Sequence, residues 1–355
     1  HGTHVAGTVL GNGDWRPGDT GTDGKYSGIA PEANLVAQDM YGYFTISQAN
    51  RDAVRSGATI SSNSWGAGYF GAYDATCRAY DLHTRDSDGG SAGDQPMVFS
   101  FSAGNYGQYG SNTCNPPSTA KNVITVGATG NDKWGVSSNT VTGFSSRGPT
   151  DDGRLKPDIL MPGHQVAAAQ SNDGNSNSGW YKPSDGKNSY VFASGTSMSA
   201  PGVSGAAAVL TQYLVEEKGM DDPSPAMIKA SLINGARPLS GYEYPGNVQG
   251  WGTVSLVRTL FEDETHKIYR DDQSVELDTE TGSDTEPYWF MVESDQPLKI
   301  TLAWTDMGGT TSTGKALIND LDLEIISPNG TRYAGNLFDS GQSAVDSGTY
   351  QDRLN

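Results

Sequence analysis

Two short stretches, SGTSMSAP at residues 194–201 and HGTHVAG at residues 1–7, decide how this chain is expected to fold. Each places a reactive side chain, the hydroxyl of Ser197 or the imidazole of His1, at the predicted start of a helix. The Gly and Ala residues around them are small enough for a peptide backbone to approach closely. Far apart along the chain, the two groups can act together only if the fold brings both helix starts to one cleft.

From residue 1 to about residue 262, short apolar strands alternate with helical stretches. Strands are predicted at residues 34–38, 59–64, 96–101 and 122–127, and helices at residues 46–56, 198–214 and 224–234. This alternation predicts a doubly wound α/β fold, with a mainly parallel sheet and helices on both faces. Ligands of such sheets bind beyond the carboxyl ends of the strands, where Trp65-Gly66 and Gly104-Asn105 fall.

The pattern changes beyond about residue 265, where apolar and polar residues alternate in twos and no helical stretch follows. Strands are predicted at residues 288–293, 298–304 and 321–326, the last with Leu321, Leu323 and Ile325 on its core face and a hairpin turn at residues 327–330. An antiparallel β domain is therefore predicted for residues 265–355, after a first domain at residues 1–262. Its four or five strands are fewer than a complete sandwich needs.

The amino-acid composition argues against some classes of binding partner. Lys and Arg number 23 against 41 Asp and Glu, for a net charge of −18, which argues against nucleic acid and anionic membrane surfaces as partners. No apolar run is long enough for a membrane helix. The two cysteines, Cys77 and Cys114, have neither metal-binding nor redox spacing, and the sequence leaves both a disulfide and two free thiols open.

The two opening motifs, in this order, resemble those of the subtilisin-type serine peptidases, the subtilases. FSSRGP at residues 144–149 and DGRLKPD at residues 152–158 resemble a structural signature of the larger members, although Met161 stands where the family usually has Ala. Residues 265–355 resemble the β-barrel or jelly-roll domain of some large secreted subtilases. The resemblance implies a secreted, monomeric endopeptidase that acts on proteins or peptides.

The same resemblance assigns roles to three residues. Ser197 is expected to be the nucleophile, His1 the general base, and Asn105 an amide donor to the oxyanion of the tetrahedral intermediate. The family's third triad member, an Asp, lies upstream of the His motif, and here His1 is the first residue. We therefore expect the sequence to be a fragment, and little turnover from it alone, because nothing in it fixes the imidazole tautomer.

Substrate binding in the family adds the peptide as a strand beside exposed backbone edges. Ser64, Trp65 and Gly66 match one wall of the pocket for the side chain that precedes the cut bond, and Ala103 and Gly104 match the other. Glycine in both walls predicts a broad preference for apolar or aromatic side chains, although Trp65 could also be an ordinary core residue.

Structural Ca²⁺ is implied by the resemblance alone, and it requires several oxygen ligands gathered together. Asp306, Asn319, Asp320 and Asp322 form the densest candidate cluster. A solvated acidic sheet edge is the alternative interpretation of the same residues.

Two other functions remain open. The chain could be a catalytically silent, subtilase-like binding or scaffold protein, in which the upstream acid was lost. An exopeptidase of the same family would need an insertion that closes one end of the cleft, and none of convincing length is present. An Asp in the expected upstream position would favour the endopeptidase.

Overall fold

The structure is a computed structural model that describes residues 1–13, 24–39, 45–132, 135–171, 180–185, 189–264, 266–272, 286–293, 297–311 and 314–346. The helices are α1 (Gly2–Leu10), α2 (Ile46–Arg55), α3 (Ala75–Arg85), α4 (Thr196–Glu216), α5 (Pro225–Gly235) and α6 (Leu256–Leu260). The strands are β1 (Ile60–Asn63), β2 (Val98–Ser102), β3 (Ile124–Thr129), β4 (Ile159–Pro162), β5 (Val166–Ala169), β6 (Tyr190–Ala193), β7 (Glu324–Ile326), β8 (Arg332–Asp339) and β9 (Gln342–Val345).

The central sheet has the order β1-β2-β3-β4, and all of its pairs are parallel. Strands β2 and β3 are buried along their whole length, as expected when helices cover both faces of a sheet. The predicted α/β fold is confirmed. The strand predicted at residues 34–38 is wrong: this segment is extended and exposed, and it forms no ladder with the described strands.

Helices cover both faces of this sheet. On one face, α4 packs with α5 and α6 in a cluster of buried apolar residues that includes Val126, Val203, Leu210, Ile228 and Leu232. On the other face, a second cluster includes Cys77, Tyr80, Met97, Phe99 and Phe101. The small residues of α4 allow close contact, since a Cβ added at Gly202 would lie 2.9 Å from Cγ of Met161. The Met that replaces the family's usual Ala therefore fills space against α4.

Helix α1 lies along the antiparallel hairpin of β5 and β6. The Nε2 of the buried His4 is 3.1 Å from the carbonyl oxygen of Val166 and 3.2 Å from that of Val191. A Cβ added at Gly7 would lie 2.9 Å from the backbone N of Ala169. Later residues of α1 thus contact later residues of β5, so the helix and the strand run in the same direction.

The C-terminal part contains a three-stranded antiparallel sheet, β7-β8-β9. Leu321, Leu323 and Ile325 are half-buried while their neighbours are exposed, and the hairpin turn at residues 327–330 is present, so both predictions are confirmed. The strands predicted at residues 288–293 and 298–304 do not form, since neither segment pairs in a ladder with the part of the chain that the structure describes. A closed β-barrel or jelly-roll domain, and the boundary between residues 262 and 265, stay predictions.

A buried polar network docks the C-terminal part against the first domain. The ammonium of Lys121 donates to Asp306 Oδ2 at 2.6 Å, to Met307 O at 2.5 Å and to Ala316 O at 2.8 Å. Asn122 and the backbone of Asp306 exchange hydrogen bonds of 2.7 and 2.9 Å. The carboxylate of Asp81, fully buried, lies 3.9 Å from Lys121 Nζ. The two parts of the chain thus share one charge cluster.

Both cysteines are free and buried. Of the two alternatives that the sequence left open, a disulfide and two free thiols, the structure has the free thiols. Burial raises the pKa of the Cys77 and Cys114 thiols to about 12. None of the described helices is long and apolar enough to cross a membrane.

Replacing Lys121 by Met should destabilise the protein by about 3–5 kcal/mol, because two buried carboxylates would lose their compensating cation. Urea unfolding of the unaltered and K121M proteins measures the difference in the free energy of unfolding. Lys315, an exposed lysine paired with Asp320, provides the control, and K315M should change stability by less than about 1 kcal/mol. Equal effects of the two substitutions would contradict the buried network.

The buried imidazole of His4 predicts a stability change with pH. Desolvation, partly opposed by hydrogen bonds to Val166 and Val191, lowers the pKa of His4 from 6.5 to about 4. Between these values the unfolded chain binds the proton and the folded one does not, so the stabilisation present above pH 6.5 is lost as the pH falls toward 4. The loss should reach about 3 kcal/mol. Guanidinium unfolding at pH 7.5, 5.5 and 4 measures the free energy of unfolding. Its decrease between pH 7.5 and pH 4 should be about 3 kcal/mol smaller in H4Q than in the unaltered protein.

Candidate active site

The candidate site lies where strands β1 and β2 end. Ser64 follows β1 directly, and Ala103, Gly104 and Asn105 follow β2. Because the two strands are parallel neighbours, with Asn63 in register with Phe101, these residues meet at one edge of the sheet. The prediction that Trp65-Gly66 and Gly104-Asn105 follow adjacent strand ends is confirmed.

Helix α4 reaches this edge with its amino terminus, at Thr196 and Ser197. Pro201, inside the helix, has no N–H to donate to the carbonyl of Ser197 four residues earlier. That carbonyl instead accepts the hydroxyl of Ser64 at 2.8 Å. The Ser197 hydroxyl makes only a long contact of 3.5 Å with the Ser64 carbonyl among the described residues. The loop after β1 is therefore fixed to the helix, while the Ser197 hydroxyl remains half-buried and weakly held.

Asn105 caps the same helix from the loop after β2. Its Oδ1 accepts the backbone N–H of Thr196 at 2.9 Å and the Thr196 hydroxyl at 3.1 Å, and the Gly104 N–H donates to that hydroxyl at 3.2 Å. A helix start leaves such N–H groups without intrahelical partners, so this cap is stabilising. With Oδ1 occupied, the amide orientation is fixed, and its Nδ2 donates to none of the described residues.

Two nitrogen atoms lie near one point beside Gly195. A Cβ added at Gly195 would lie 3.4 Å from Asn105 Nδ2, 3.5 Å from Asn105 Oδ1 and 3.7 Å from the backbone N of Ser197. Gly195 has φ of 150°, a conformation open to glycine. A side-chain amide and a helix N–H are the kinds of donor that stabilise a developing oxyanion. The positive end of the α4 dipole adds to this field.

The two glycines of the predicted walls, Gly66 and Gly104, face a common side chain that the sequence did not reveal. A Cβ added at Gly66 would lie 2.7 Å from Asn115 Nδ2, and one at Gly104 would lie 2.9 Å from Asn115 Oδ1. Asn115 is 6% exposed, and its side-chain amide forms no hydrogen bond with the described residues. Asn115 therefore lies between the walls, where no motif marks it.

Trp65 does not line this space with its ring. The indole packs 5.6 Å from the ring of Phe101 and 6.2 Å from that of Tyr80, centroid to centroid, and its Nε1 donates to Asn63 Oδ1 at 3.1 Å. Of the two interpretations made from sequence, the core position holds for the side chain. Trp65 supports the wall through the backbone it shares with Ser64 and Gly66.

His1 is exposed at the start of α1, where its side chain forms no capping hydrogen bond. The position of His1 relative to Ser197 follows from contacts with the β5-β6 hairpin. His4, one turn into α1, contacts Val166; Val166 pairs with Ala193 at the end of β6; and α4 begins three residues after Ala193. The start of α1 and the start of α4 therefore lie at the same end of the β5-β6 hairpin.

The residues predicted to bind calcium do not fit that ion around Asp306. Its Oδ2 accepts from Lys121 and from the backbone N of Ile318, and its Oδ1 accepts from the backbone N and the Nδ2 of Asn319. Asp320 pairs with Lys315, and Asp322 is exposed. Among the described residues, no group of three or more His, Cys, Asp or Glu could hold a metal. Calcium elsewhere in the protein stays a prediction.

The known proteins that are similar to this chain in sequence include serine proteases. "Serine protease/ABC transporter B family protein tagD" of Dictyostelium discoideum is 26% identical over 91% of this chain and 24% of its own length. "Serine protease AprX" of Bacillus subtilis is 34% identical over 73% of this chain and 57% of its own length. The chain thus spans between a quarter and somewhat over half of these two relatives.

A solved structure gives the same result. Fervidolysin from Fervidobacterium pennivorans, described as a keratinolytic enzyme related to subtilisin, superposes with a TM-score of 0.51 at 25% identity. The match covers 73% of this chain and 35% of that one. The sequence profile of the subtilase family, Peptidase_S8, matches residues 1–252. Because this match covers more than half of the sequence, the chain belongs to the subtilase family of serine peptidases.

Proposed function

We propose that the protein is a secreted, monomeric serine endopeptidase that cuts protein substrates through an acyl-enzyme. The observation that carries this proposal is the proximity of Asn105 Nδ2 and the backbone N of Ser197 to one point beside Gly195. Such a pair of donors stabilises negative charge on a substrate oxygen only as the carbonyl becomes tetrahedral, which is what lowers the barrier to acyl transfer.

In the proposed reaction, the Ser197 hydroxyl attacks the carbonyl carbon of the scissile bond and His1 accepts its proton. His1 then delivers that proton to the leaving amine, and water repeats the sequence to release the acyl group. The shared location of the two helix starts at one end of the β5-β6 hairpin supports this pairing. The proposed mechanism also requires an aspartate that orients His1.

The substrate is proposed to lie as an extended strand between the loops after β1 and β2. Its side chain before the cut bond would enter the space between Gly66 and Gly104 and end against Asn115. The amide of Asn115 can both donate and accept, so the pocket suits apolar or aromatic side chains that carry a polar tip at least as well as purely apolar ones.

Fluorophosphonate labelling of the full-length protein tests the reaction. We expect S197A to abolish labelling, because it removes the hydroxyl that is proposed to attack the substrate carbonyl. S194A removes an exposed hydroxyl three residues away and should retain labelling. N105A should lower kcat by about 10²–10³, the magnitude found for one such donor in a related subtilisin. Labelling that survives S197A would contradict the proposal, and absence of labelling in the unaltered protein would favour the catalytically silent reading.

A charge placed at Asn115 tests the position of the pocket. N115D should raise kcat/KM for peptides with Lys before the cut bond, relative to Phe, by on the order of tenfold, since a partly buried carboxylate attracts the ammonium at short range. N139D adds the same charge at an exposed turn and should leave the ratio unchanged. A panel of otherwise identical fluorogenic peptides measures both variants. An unaltered Lys-to-Phe ratio in N115D would place the substrate side chain elsewhere.

A further inference from the structure

Four aromatic rings lie in the open beside the proposed pocket. Tyr69 is 87% exposed and Tyr109 is 72% exposed, whereas Phe70 and Tyr106 are about two-fifths exposed. The ring centroids of Phe70 and Tyr106 are 4.9 Å apart, and those of Tyr106 and Tyr109 are 6.5 Å apart in a stacked orientation. We name these four residues the aromatic surface. Single exposed rings are ordinary in soluble proteins, but contiguous ones indicate an interaction site.

The aromatic surface begins at the pocket itself. Tyr106 follows the proposed oxyanion donor Asn105, and a Cβ added at Gly104 would lie 3.4 Å from Tyr106 Cδ2. Tyr69 and Phe70 belong to the loop that continues from Gly66. The four residues therefore belong to the two loops that carry the walls of the proposed pocket, and Phe70 contacts Tyr106 across them.

The backbone that carries the rings is held firmly. Ala67 N donates to Pro116 O at 2.8 Å, and Gly71 N donates to Cys114 O at 2.7 Å, on either side of Tyr69 and Phe70. The short 3₁₀ helix at residues 107–109 is fixed by the Gly107 N–H, which donates to Phe144 O at 2.8 Å. The rings stand on rigid supports, so little ordering would be needed when a partner binds.

Two carboxylates near Tyr69 and Phe70 limit the charge that a partner segment can carry. A Cβ added at Gly68 would lie 3.4 Å from the carboxylate of Asp74, and one at Gly71 would lie 2.3 Å from that of Asp151. These carboxylates flank the loop of Tyr69 and Phe70. A partner segment that carries acidic residues is therefore disfavoured, whereas apolar and aromatic side chains can stack on the rings.

We propose that the aromatic surface binds a second, apolar and aromatic-rich stretch of an extended protein substrate, outside the residue that fills the pocket. This rests on the proposed function, because continuity with the pocket is what directs the surface toward the substrate. Long substrates would gain affinity from it, and peptides of a few residues would not.

The test compares a long substrate with a short one in the full-length protein. Replacing the two most exposed rings, Y69S/Y109S, should lower kcat/KM for unfolded casein on the order of tenfold, through KM. Hydrolysis of a fluorogenic tetrapeptide should stay within about twofold. Y69F/Y109F keeps the rings and should restore casein hydrolysis. Y269S removes an exposed tyrosine from the segment after α6 and provides the matched control.

Each other result overturns the proposal. An equal loss on casein and tetrapeptide would mean that the rings only support the loops. No loss on either substrate would mean that they bind nothing during turnover. Unchanged casein kinetics with loss of sedimentation on phosphatidylcholine vesicles in Y69S/Y109S would assign the surface to lipid. Failure of the unaltered protein to cut the tetrapeptide would instead refute the proposed function, and so the two failures are distinguishable.

Discussion

The site depends on one interaction, the cap that Asn105 places on the first turn of α4. Its Oδ1 accepts two hydrogen bonds from Thr196, and these join the loop after β2 to the helix that carries Ser197. The same contact fixes the amide plane of Asn105, so its Nδ2 is directed without any further partner. The contact that stabilises the helix start thereby also holds Asn105 in the fixed orientation that its proposed role as a donor requires, since preorganisation is what gives such donors their effect on a developing charge.

Glycine is required where the backbone of the candidate site approaches other side chains closely. Gly195 lies beside Asn105, and Gly66 and Gly104 pack directly against the buried side chain of Asn115. Gly104 also has φ of 108°, and a side chain there would meet Ser146 Oγ at 2.7 Å. Any larger residue at these positions would therefore displace a neighbouring group as well as fill space. The backbone conformation and the shape of the candidate site thus depend on the same residues.

Local patterns predicted the parts of the fold that local physics determines. The alternation of strands and helices predicted the parallel sheet and α4, and the motif around Ser197 predicted a helix start with a reactive hydroxyl. Asn115 was missed because its importance comes from contacts with Gly66 and Gly104, which are distant in sequence. The strand predicted at residues 34–38 has the apolar composition of a strand, but it forms no ladder with the described strands.

The acidic cluster near the C-terminal part shows why composition alone misleads. Asp306 has the residue type of a calcium ligand, yet its oxygens are occupied by Lys121, two backbone N–H groups and Asn319. The ammonium group of Lys121 compensates the buried carboxylate and makes it part of the chain's own packing. It also ties residues 304–318 to Asn122, next to β3. The C-terminal part is therefore joined to the sheet by charge and hydrogen bonding, across the position where the sequence pattern changes.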